Sequence, residues 1–375
     1  MRPIKILSIV PYKILPAKLG GEKGIALFNE YLGLKASLVA VSTKNNEAGL
    51  ARNYTMLRDL SNSRTRYINP FLFFKLRSLA KKQQATHLVI EHPYYAWLAF
   101  LLKHSLHIPL IIHSHNIEFM RSRSIGRWWW KALKAYEKWA YGMADMSFFI
   151  SDDDRQFAEE QLSVDPLKSF TVTYGIEENQ LPNDMQGARL KVMQQHGISA
   201  EEKILLFNGA LYHHTNYDAV KVILDEINPR LMDAGLKYKI IICGKGLPPS
   251  FNDLKEYHEK NIIYAGFVDD ISLYFKAADI FLNPIMAGGG IKTKAVEAIA
   301  YNCTVVSTEL GALGIKREMC GEKLYVFPDG DWKGFTDKIL SLPGVLPLTP
   351  KEFYDYYYWD NIVSRAFEKL QQLNA

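Results

Sequence analysis

One segment of this sequence combines three adjacent glycines, two lysines and a glutamate. The glycines are Gly288, Gly289 and Gly290. Ile291 joins them to Lys292, near which a helical pattern begins. Adjacent glycines let backbone N–H groups converge at a helix N-terminus, whose dipole favours an anion. Lys292 and Lys294 add positive charge, and Glu297 can accept hydrogen bonds from sugar or ribose hydroxyls. The pattern predicts a site for a diphosphate ester of a polyhydroxylated group; the alternative is a flexible loop with solvated lysines.

The elements that must position this segment are short β-branched runs that alternate with helical patterns. Strands are predicted at 4–10, 36–41, 87–91, 110–113, 146–150, 169–173, 204–208, 239–243, 261–264, 280–284 and 304–307. Helices are predicted at 23–31, 94–103, 129–144, 218–233, 271–277 and 294–301. The strand runs are apolar on both faces, as buried strands of a parallel sheet are. This alternation predicts an α/β protein with doubly wound sheets.

A polar stretch at 175–189 interrupts the alternation. We therefore predict two Rossmann-like domains, residues 1–185 and 186–349, that face each other across a cleft. Residues 350–375 are predicted to be helical and to cross back to the N-terminal domain. Ligands of open parallel sheets bind beyond the carboxyl ends of the strands, so the loops at those ends are the candidate sites.

Composition indicates an ordinary globular protein. Of its 375 residues, 48% are hydrophobic and 23% are charged, and a formal net charge of +5 does not by itself indicate nucleic-acid binding. No apolar run reaches the roughly 18–20 residues that cross a bilayer. The apolar start of the chain is predicted to be the first strand rather than a signal peptide. Three widely spaced cysteines favour a reducing cytoplasm over a disulfide framework or a zinc site.

Basic residues and tryptophans are concentrated between positions 121 and 138. They are Arg121, Arg123, Arg127, Trp128, Trp129, Trp130, Lys131, Lys134 and Lys138. One interpretation is a helix whose aromatic face packs inside the protein. The other is an amphipathic surface that contacts an anionic membrane, as an enzyme acting on lipid-linked acceptors would need.

The glycine–lysine segment resembles the donor site of family 4 retaining glycosyltransferases, the group 1 enzymes of the GT-B fold. In one subgroup of that family, Gly-x-Gly-x-Arg/Lys-x-Lys precedes Leu/Val-Glu-Ala-Met/Ile-Ala, and residues 288–300 follow this pattern. The common form of the family has two glutamates eight positions apart, whereas this chain has Glu297 and Gly289. The resemblance implies that backbone N–H groups of Gly289 and Gly290 replace the missing contact to the donor sugar.

Further segments follow the family order across nearly the whole chain. Residues 207–219 are similar to the opening of the family's C-terminal domain, with Gly209 in the turn. The motifs Ile-Ile-Ile-Cys-Gly-Lys-Gly at 240–246 and Tyr-Ala-Gly-Phe-Val-Asp-Asp at 264–270 match the next two donor-side loops. The resemblance implies that residues 186–349 bind the donor through Gly244, and that Phe267 and the backbone of Val268 border the nucleobase.

The resemblance also implies how the donor diphosphate is neutralised. Many relatives carry an arginine and a lysine in the turn at 207–219, where this chain has Ala210 and uncharged neighbours. We therefore expect Lys292 and Lys294 to supply the positive charge.

On the N-terminal, acceptor side, Gly20 and Gly21 resemble the paired glycines that approach the donor phosphate and the acceptor in this family. The alternative is a simple turn between the first strand and the first helix. In the loop 112–119, His115 aligns with a family histidine whose neutral imidazole could accept a hydrogen bond from the donor sugar. Glu118 is a second candidate there, on the acceptor side. A structural histidine is the alternative for His115.

A metal site is not expected. His113 and His115 could also be read as metal ligands together with His213 and His214, but no carboxylate or cysteine spacing supports this.

The implied function is a metal-independent, retaining hexosyltransferase of polysaccharide biosynthesis. It would move a sugar from a nucleoside-diphosphate sugar, its co-substrate, to a glycan or lipid-linked acceptor, with His115, Lys292 and Glu297 as catalytic residues. No cofactor, metal or nucleic-acid partner is expected. The location is expected to be cytoplasmic, with peripheral contact to an anionic membrane as an option. The alternatives are a non-catalytic nucleotide-sugar-binding paralogue and a GT-B nucleotide-sugar epimerase.

Overall fold

The computed structural model describes residues 3–373, which form two compact units. The first unit contains the described residues up to Gly175 and from Tyr357 onward, and the second contains Ile176–Tyr356. The sequence predicts a boundary near residue 185, whereas the contacts within the chain divide it between Gly175 and Ile176. The polar stretch after Gly175 therefore belongs to the second unit.

The first unit is built on a seven-stranded parallel sheet in the order β3-β2-β1-β4-β5-β6-β7. Its strands are β1 (Lys5–Ile9), β2 (Ser37–Thr43), β3 (Thr55–Leu60), β4 (His87–Glu91), β5 (Leu110–Ser114), β6 (Met146–Phe149) and β7 (Ser169–Thr171). Its helices before residue 175 are α1 (Gly20–Gly33), α2 (Phe71–Gln83), α3 (Ala96–Leu106), α4 (Glu118–Ser124), α5 (Trp130–Met143) and α6 (Asp152–Leu162). The central strands are buried on both faces, as their apolar runs predict. Strand β3 is not predicted from the sequence because this edge strand exposes alternate residues and has no continuous apolar run.

The second unit contains a six-stranded parallel sheet in the order β10-β9-β8-β11-β12-β13. Its strands are β8 (Lys203–Asn208), β9 (Tyr238–Cys243), β10 (Ile262–Gly266), β11 (Ile280–Asn283), β12 (Thr304–Thr308) and β13 (Leu324–Phe327). Its helices are α7 (Met185–His196), α8 (His214–Val222), α9 (Asn228–Asp233), α10 (Ile271–Ala277), α11 (Thr293–Ala300) and α12 (Trp332–Ser341). The helix predicted at 218–233 is interrupted by a π-helical turn at Ile223–Ile227.

The end of the chain forms two helices, α13 (Lys351–Tyr357) and α14 (Trp359–Gln372), separated at Tyr358 by extended backbone. Helix α14 packs against α1 of the first unit. Trp359 is buried there, and a Cβ added to Gly175 would lie 2.6 Å from its indole ring. The absence of a side chain at Gly175 therefore lets α14 dock on this unit.

In both sheets the strand order reverses between two central neighbours, β1 and β4 in one and β8 and β11 in the other. Loops that leave these strands diverge to opposite faces and open a crevice at the carboxyl edge. Both candidate sites lie at these edges. The three cysteines are free and buried. Within residues 3–373, no helix is long and apolar enough to span a membrane.

Candidate active site

The glycine loop between β11 and α11 is folded around the ammonium group of Lys292. Its Nζ donates to the carbonyl oxygens of Gly288, Gly289 and Gly290 at 3.0, 3.2 and 2.9 Å. Gly288 and Gly290 have φ values of 93° and 69°, which glycine adopts without strain. A Cβ at Gly289 would meet no atom within 4 Å. Lys292 therefore stabilises the loop conformation and brings positive charge to the N-terminus of α11.

The second lysine of this segment lies against the end of β8. Its Nζ is 2.9 Å from Oδ1 of Asn216, and Nδ2 of Asn216 donates to the carbonyl of Ala210 at 2.9 Å. A Cβ at Gly209 would lie 2.6 Å from Nζ of Lys294, so only glycine leaves room for this ammonium. Burial lowers the pKa of Lys294 to about 8, although Glu297 nearby favours the charged form. Lys294 is thus a positioned cation.

Close backbone contacts join the ends of three strands beside Lys294. The N–H of Gly244 donates to the carbonyl of Gly266 at 2.6 Å, and a Cβ at Gly244 would lie 1.8 Å from the carbonyl oxygen of Gly209. Next to this junction, the ring of Phe267 is 67% exposed and lies 5.8 Å from the Lys245 ammonium. An exposed aromatic ring at a strand end offers a stacking face for a base.

The first-unit glycines lie in the first turn of α1, which begins at Gly20, three residues before the predicted helix start. The Glu22 carboxylate accepts hydrogen bonds from the N–H groups of Lys18 at 2.8 Å and Leu19 at 3.1 Å, which explains the early start. A Cβ at Gly21 would meet no atom within 4 Å. The predicted helix start at residue 23 is therefore wrong, and Gly20 and Gly21 lie in the first helical turn, which also suits an anion.

At the carboxyl edge of the first sheet, two histidines face one carboxylate. Oε2 of Glu91 lies 2.7 Å from Nε2 of His115 and 3.0 Å from Nδ1 of His113. Glu91 is paired with His113 in the register of β4 and β5, so the two strands bring the groups together. All three side chains are buried.

Burial and the neighbouring groups determine the protonation states of His115 and Glu91. Burial and the neighbouring His113 lower the pKa of His115, so its imidazole is neutral near pH 7. Burial opposes ionisation of Glu91, but His113 and His115 outweigh it and lower the pKa of this carboxyl. An ionised carboxylate only accepts hydrogen bonds, so Nε2 of His115 carries the proton and Nδ1 holds the lone pair. His115 can therefore accept a hydrogen bond from a hydroxyl group.

The residue after β4 has a strained backbone. His92 has φ 65° and ψ 157°, a region that essentially only glycine occupies, at a cost of about 1–3 kcal/mol for other residues. Its Nε2 lies 2.7 Å from the Tyr12 hydroxyl, and its Nδ1 lies 3.1 Å from Oε1 of Glu118. The imidazole stacks on Tyr94 with ring centroids 5.1 Å apart. Glu118, predicted on the acceptor side, is thus buried and paired with His92.

A second buried glutamate fixes the start of α4, where Glu118 lies. The Glu137 carboxylate accepts hydrogen bonds from the N–H groups of Glu118 at 3.0 Å and Phe119 at 2.8 Å. Burial raises the pKa of Glu137 to about 7, although these two bonds favour its ionised form. The position of Glu118 therefore depends on a carboxyl group that titrates near neutrality.

One group in the described part of the chain has the donor atoms of a metal site. Glu91, His113 and His115 each offer one ligand atom, and these atoms lie within 4.8 Å of one another. Two histidines and a glutamate suit zinc. A zinc ion bound to Nε2 of His115 would exclude its hydrogen bond to Glu91. His213 and His214, the ligands considered from the sequence, belong to the second unit, and His214 begins α8.

The basic aromatic segment divides between the core and the surface. The ring of Trp130 packs beside Phe119, at 6.4 Å between centroids, and beneath the Arg123 guanidinium at 5.2 Å. By contrast, Trp128 is 89% exposed and Ile125 is 58% exposed. The exposed members form what we call the basic aromatic surface: Arg121, Arg123, Ile125, Arg127, Trp128, Trp129, Lys131, Lys138 and Trp139.

Four residues of the Lys294 site and of the histidine and glutamate cluster in the first unit were not predicted from the sequence. They are Tyr12, Glu91, His92 and Asn216. The sequence does contain a signal for Glu91. It is a charged residue at the end of an otherwise apolar strand, and a buried charge requires a partner. Asn216 lies inside the segment at 207–219, but its contact with Lys294 spans 78 positions and leaves no local signal.

Comparison with known proteins identifies the class of this enzyme. The family model described as glycosyl transferases group 1 matches residues 202–343, and the one described as Glycosyltransferase Family 4 matches residues 36–180. Sucrose-phosphate synthase from Thermosynechococcus elongatus has a similar structure, with a TM-score of 0.74, 13% identity, and coverage of 98% of this chain and 99% of that one. A glycosyltransferase from Rickettsia africae has a TM-score of 0.72 and 15% identity over 100% of this chain and 99% of that one.

A third similar structure is Anabaena HepE in complex with UDP, with a TM-score of 0.66 and 16% identity over 99% of this chain and 97% of that one. Among curated proteins, an uncharacterized 44.6 kDa protein in the cps region of Klebsiella pneumoniae is 25% identical over 131 residues, 33% of this chain and 34% of that relative. The match therefore spans about a third of the relative's length.

Fold and family models together define a glycosyltransferase of the GT-B fold, as predicted from the sequence. More narrowly, the chain belongs to the group 1, family 4 glycosyltransferases.

Proposed function

We propose that this glycosyltransferase transfers a sugar from a nucleoside-diphosphate sugar to a hydroxyl group of a glycan or lipid-linked acceptor, with retention and without a metal ion. The observation that carries the proposal is the placement of Lys294. Its ammonium is fixed by Asn216 beside Gly209, and Lys294 lies in the first turn of α11, two positions after Lys292. Two fixed cations at a helix N-terminus suit a diphosphate.

Stabilisation of the leaving diphosphate is the main catalytic task in this proposal. Negative charge develops on the bridging oxygen as the bond to the anomeric carbon breaks, and Lys292, Lys294 and amides of the glycine loop offset it. Preorganised cations cost no rearrangement during the reaction, so they can replace a divalent ion. Retention is supported by the resemblance of residues 288–300 to retaining family members.

Other residues are assigned to the sugar, the ribose and the nucleobase of the donor. We assign Glu297 to hydroxyls of the sugar or ribose, and the exposed ring of Phe267 with the backbone of Val268 to the nucleobase. His115 accepts a hydrogen bond from a donor-sugar hydroxyl at Nδ1, because its Nε2–H is held by Glu91. The UDP complex of Anabaena HepE supports testing UDP-sugars first, and the cps-region relative supports a glycan acceptor.

The basic aromatic surface supports contact with an anionic membrane. Its tryptophans can enter the interface while its arginines and lysines bind lipid phosphates. A lipid-linked acceptor would then be reached at the membrane, and the three buried free thiols fit a reducing, cytoplasmic location.

The experiment that tests the proposal is a screen of UDP-, GDP- and dTDP-hexoses for thermal stabilisation and for slow release of nucleoside diphosphate. One donor should stabilise the wild type, and Lys294→Ala should lose that shift. Lys239→Ala is the matched control, because Lys239 is half-buried at the opposite end of β9 and bonds Asn261. Stabilisation without nucleotide release would indicate a non-catalytic binder, and a product still bearing its nucleotide would indicate an epimerase. No stabilisation by any nucleotide sugar would overturn the donor site.

A further inference from the structure

Lys245 and Phe267 lie side by side at the carboxyl edge of the second sheet. They follow the neighbouring strands β9 and β10, and the N–H of Gly244 donates to the carbonyl of Gly266 at 2.6 Å. Because this bond joins the residues just before them, the Lys245 ammonium comes to lie over the Phe267 ring, 5.8 Å from its centroid. The two strand ends thus place a cation beside an exposed aromatic ring.

The backbone around Lys245 is fixed, whereas its side chain is exposed. The carbonyl of Gly244 accepts a hydrogen bond from the Tyr264 hydroxyl at 2.9 Å, and the carbonyl of Lys245 accepts one from the N–H of Leu211 at 2.9 Å. Among residues 3–373, no carboxylate forms an ion pair with the Lys245 ammonium. Its hydrogen-bond donors are therefore available to a ligand that stacks on Phe267.

We propose that Lys245 selects the nucleobase of the donor, by donating a hydrogen bond to a carbonyl oxygen of a base stacked on Phe267. This assignment rests on the proposed transferase function, in which Phe267 borders the nucleobase, and it names the class of base. Uracil, thymine and guanine carry such an oxygen on the edge away from the sugar. Cytosine and adenine carry an amino group in the same place.

The distance between the ammonium and the ring suits this role. Stacked rings are separated by about 3.5–4 Å, so an ammonium 5.8 Å from the Phe267 centroid leaves room for a base and lies near its rim. An ammonium only donates hydrogen bonds. It attracts the carbonyl O4 of uracil or thymine and the O6 of guanine, and it repels the amino hydrogens of cytosine and adenine.

Binding of the diphosphate is the competing assignment for Lys245. In the proposed function, Lys292 and Lys294 already neutralise that group. A contact with phosphate would strengthen binding of every nucleoside diphosphate alike, whereas a contact with the base depends on its exocyclic group. UDP and CDP are therefore a decisive pair, since uracil and cytosine differ only at position 4 and in the proton on N3. GDP and ADP extend the comparison to purines.

Isothermal titration calorimetry with UDP, dTDP, CDP, GDP and ADP provides the test. The wild type should bind at least one carbonyl-bearing nucleotide about 10-fold or more tightly than its amino counterpart, CDP or ADP. Lys245→Met, which removes the donors and keeps the length of the side chain, should reduce this ratio to within about three-fold. Lys245→Glu should invert the ratio, because a carboxylate accepts from an amino group.

Lys338→Met is the matched control. The Lys338 ammonium lies 3.8 Å from the centroid of the Tyr325 ring on β13, at the other edge of the same sheet. This variant should keep the wild-type ratio. Thermal unfolding of the Lys245 variants should match that of the wild type, since the side chain is exposed, and a change in ratio then reports on the ligand.

Equal weakening of the carbonyl and amino nucleotides in Lys245→Met would assign Lys245 to the diphosphate or the ribose and overturn base selection. A wild type that binds both kinds of nucleotide equally would overturn it as well, and in either case the donor site would stand. If the wild type binds none of the five nucleotides, the proposed function fails together with base selection.

Discussion

Nζ of Lys294 lies 2.9 Å from Oδ1 of Asn216, although 78 positions separate the two residues. The same amide donates to the carbonyl of Ala210, so Asn216 ties the glycine–lysine segment to the turn that follows β8. In many relatives, an arginine and a lysine occupy that turn. In this chain, the turn carries no charge and instead holds a cation supplied by α11.

Asn216→Ala should weaken donor binding because it releases the Lys294 ammonium. A hydrogen bond to a charged group contributes about 1.5–3 kcal/mol, so donor KM should rise by roughly 10- to 100-fold. The measurement is donor KM in the nucleotide-release assay. Asn216→Asp should also raise KM, since a carboxylate would neutralise the ammonium. A donor KM equal to that of the wild type in Asn216→Ala would show that this contact does not position Lys294 for the donor.

Adjacent glycines of the loop should respond differently to a side chain. Gly288→Ala forces a Cβ onto a backbone with φ of 93°, at a cost of about 1–2 kcal/mol. Gly289→Glu, which introduces the family's first glutamate, should leave stability unchanged, because a Cβ there meets no atom within 4 Å. Thermal unfolding of the two variants provides the test. Equal destabilisation of both would contradict the loop conformation.

The glycine loop and the two-sheet fold were predictable because their signals are local. Gly288, Lys292 and Lys294 lie within one short segment, and buried parallel strands appear as continuous apolar runs. Strand β3 gave no such run, since an edge strand with an exposed face lacks it. The break at Ile223–Ile227 has one local signal, Pro229, which has no N–H to bond the carbonyl of Asp225 four residues earlier.

The first-unit site was largely unpredictable for a different reason. Glu91 was included in a predicted strand, but its contact with His115 depends on the pairing of β4 with β5. The positive φ of His92 cannot be read from a residue type that normally avoids it. Tyr12 gained its partner through a contact across 80 positions. Such contacts arise from sheet order, which a single sequence does not specify.

Glu137 should make the stability of the protein depend on pH. Its pKa is raised by burial to about 7 from an ordinary value of 4.5, so the folded state binds more protons than the unfolded state between these values. The free energy of unfolding should therefore fall as pH rises from 4.5 through 7, by on the order of 3 kcal/mol. Glu137→Gln removes the titrating group and should remove this dependence; its single amide oxygen replaces one of the two acceptors of the N–H groups of Glu118 and Phe119.

Denaturant unfolding of wild type and Glu137→Gln at pH 5 and pH 8 isolates the contribution of Glu137, because all other groups are shared. We expect the free energy of unfolding to fall more between pH 5 and pH 8 in the wild type than in the variant. The same pH dependence in both proteins would rule out Glu137 as its source.

The basic aromatic surface should bind vesicles that contain anionic phosphatidylglycerol and not vesicles of phosphatidylcholine. Trp128→Ala together with Arg123→Glu should weaken binding about 10-fold or more, since a basic residue near such a surface contributes about 1 kcal/mol and a tryptophan anchors in the interface. Co-sedimentation at low and high salt gives the affinity. Lys81→Glu, on α2, is a charge-matched control. Equal binding by the wild type, the double variant and Lys81→Glu would exclude this surface as the membrane-binding site.

The most direct test of the central claim is release of nucleoside diphosphate from the accepted nucleotide sugar by enzyme treated with a chelator and freed of metal. We predict that the treated wild type keeps its rate, that added Mg²⁺, Mn²⁺ or Zn²⁺ does not raise it, and that Lys294→Ala loses about 10²-fold or more. Loss of activity on chelation, restored by a divalent ion, would contradict neutralisation by lysines. If zinc alone restored the activity, and His113→Ala abolished that restoration, the ion would bind at Glu91, His113 and His115.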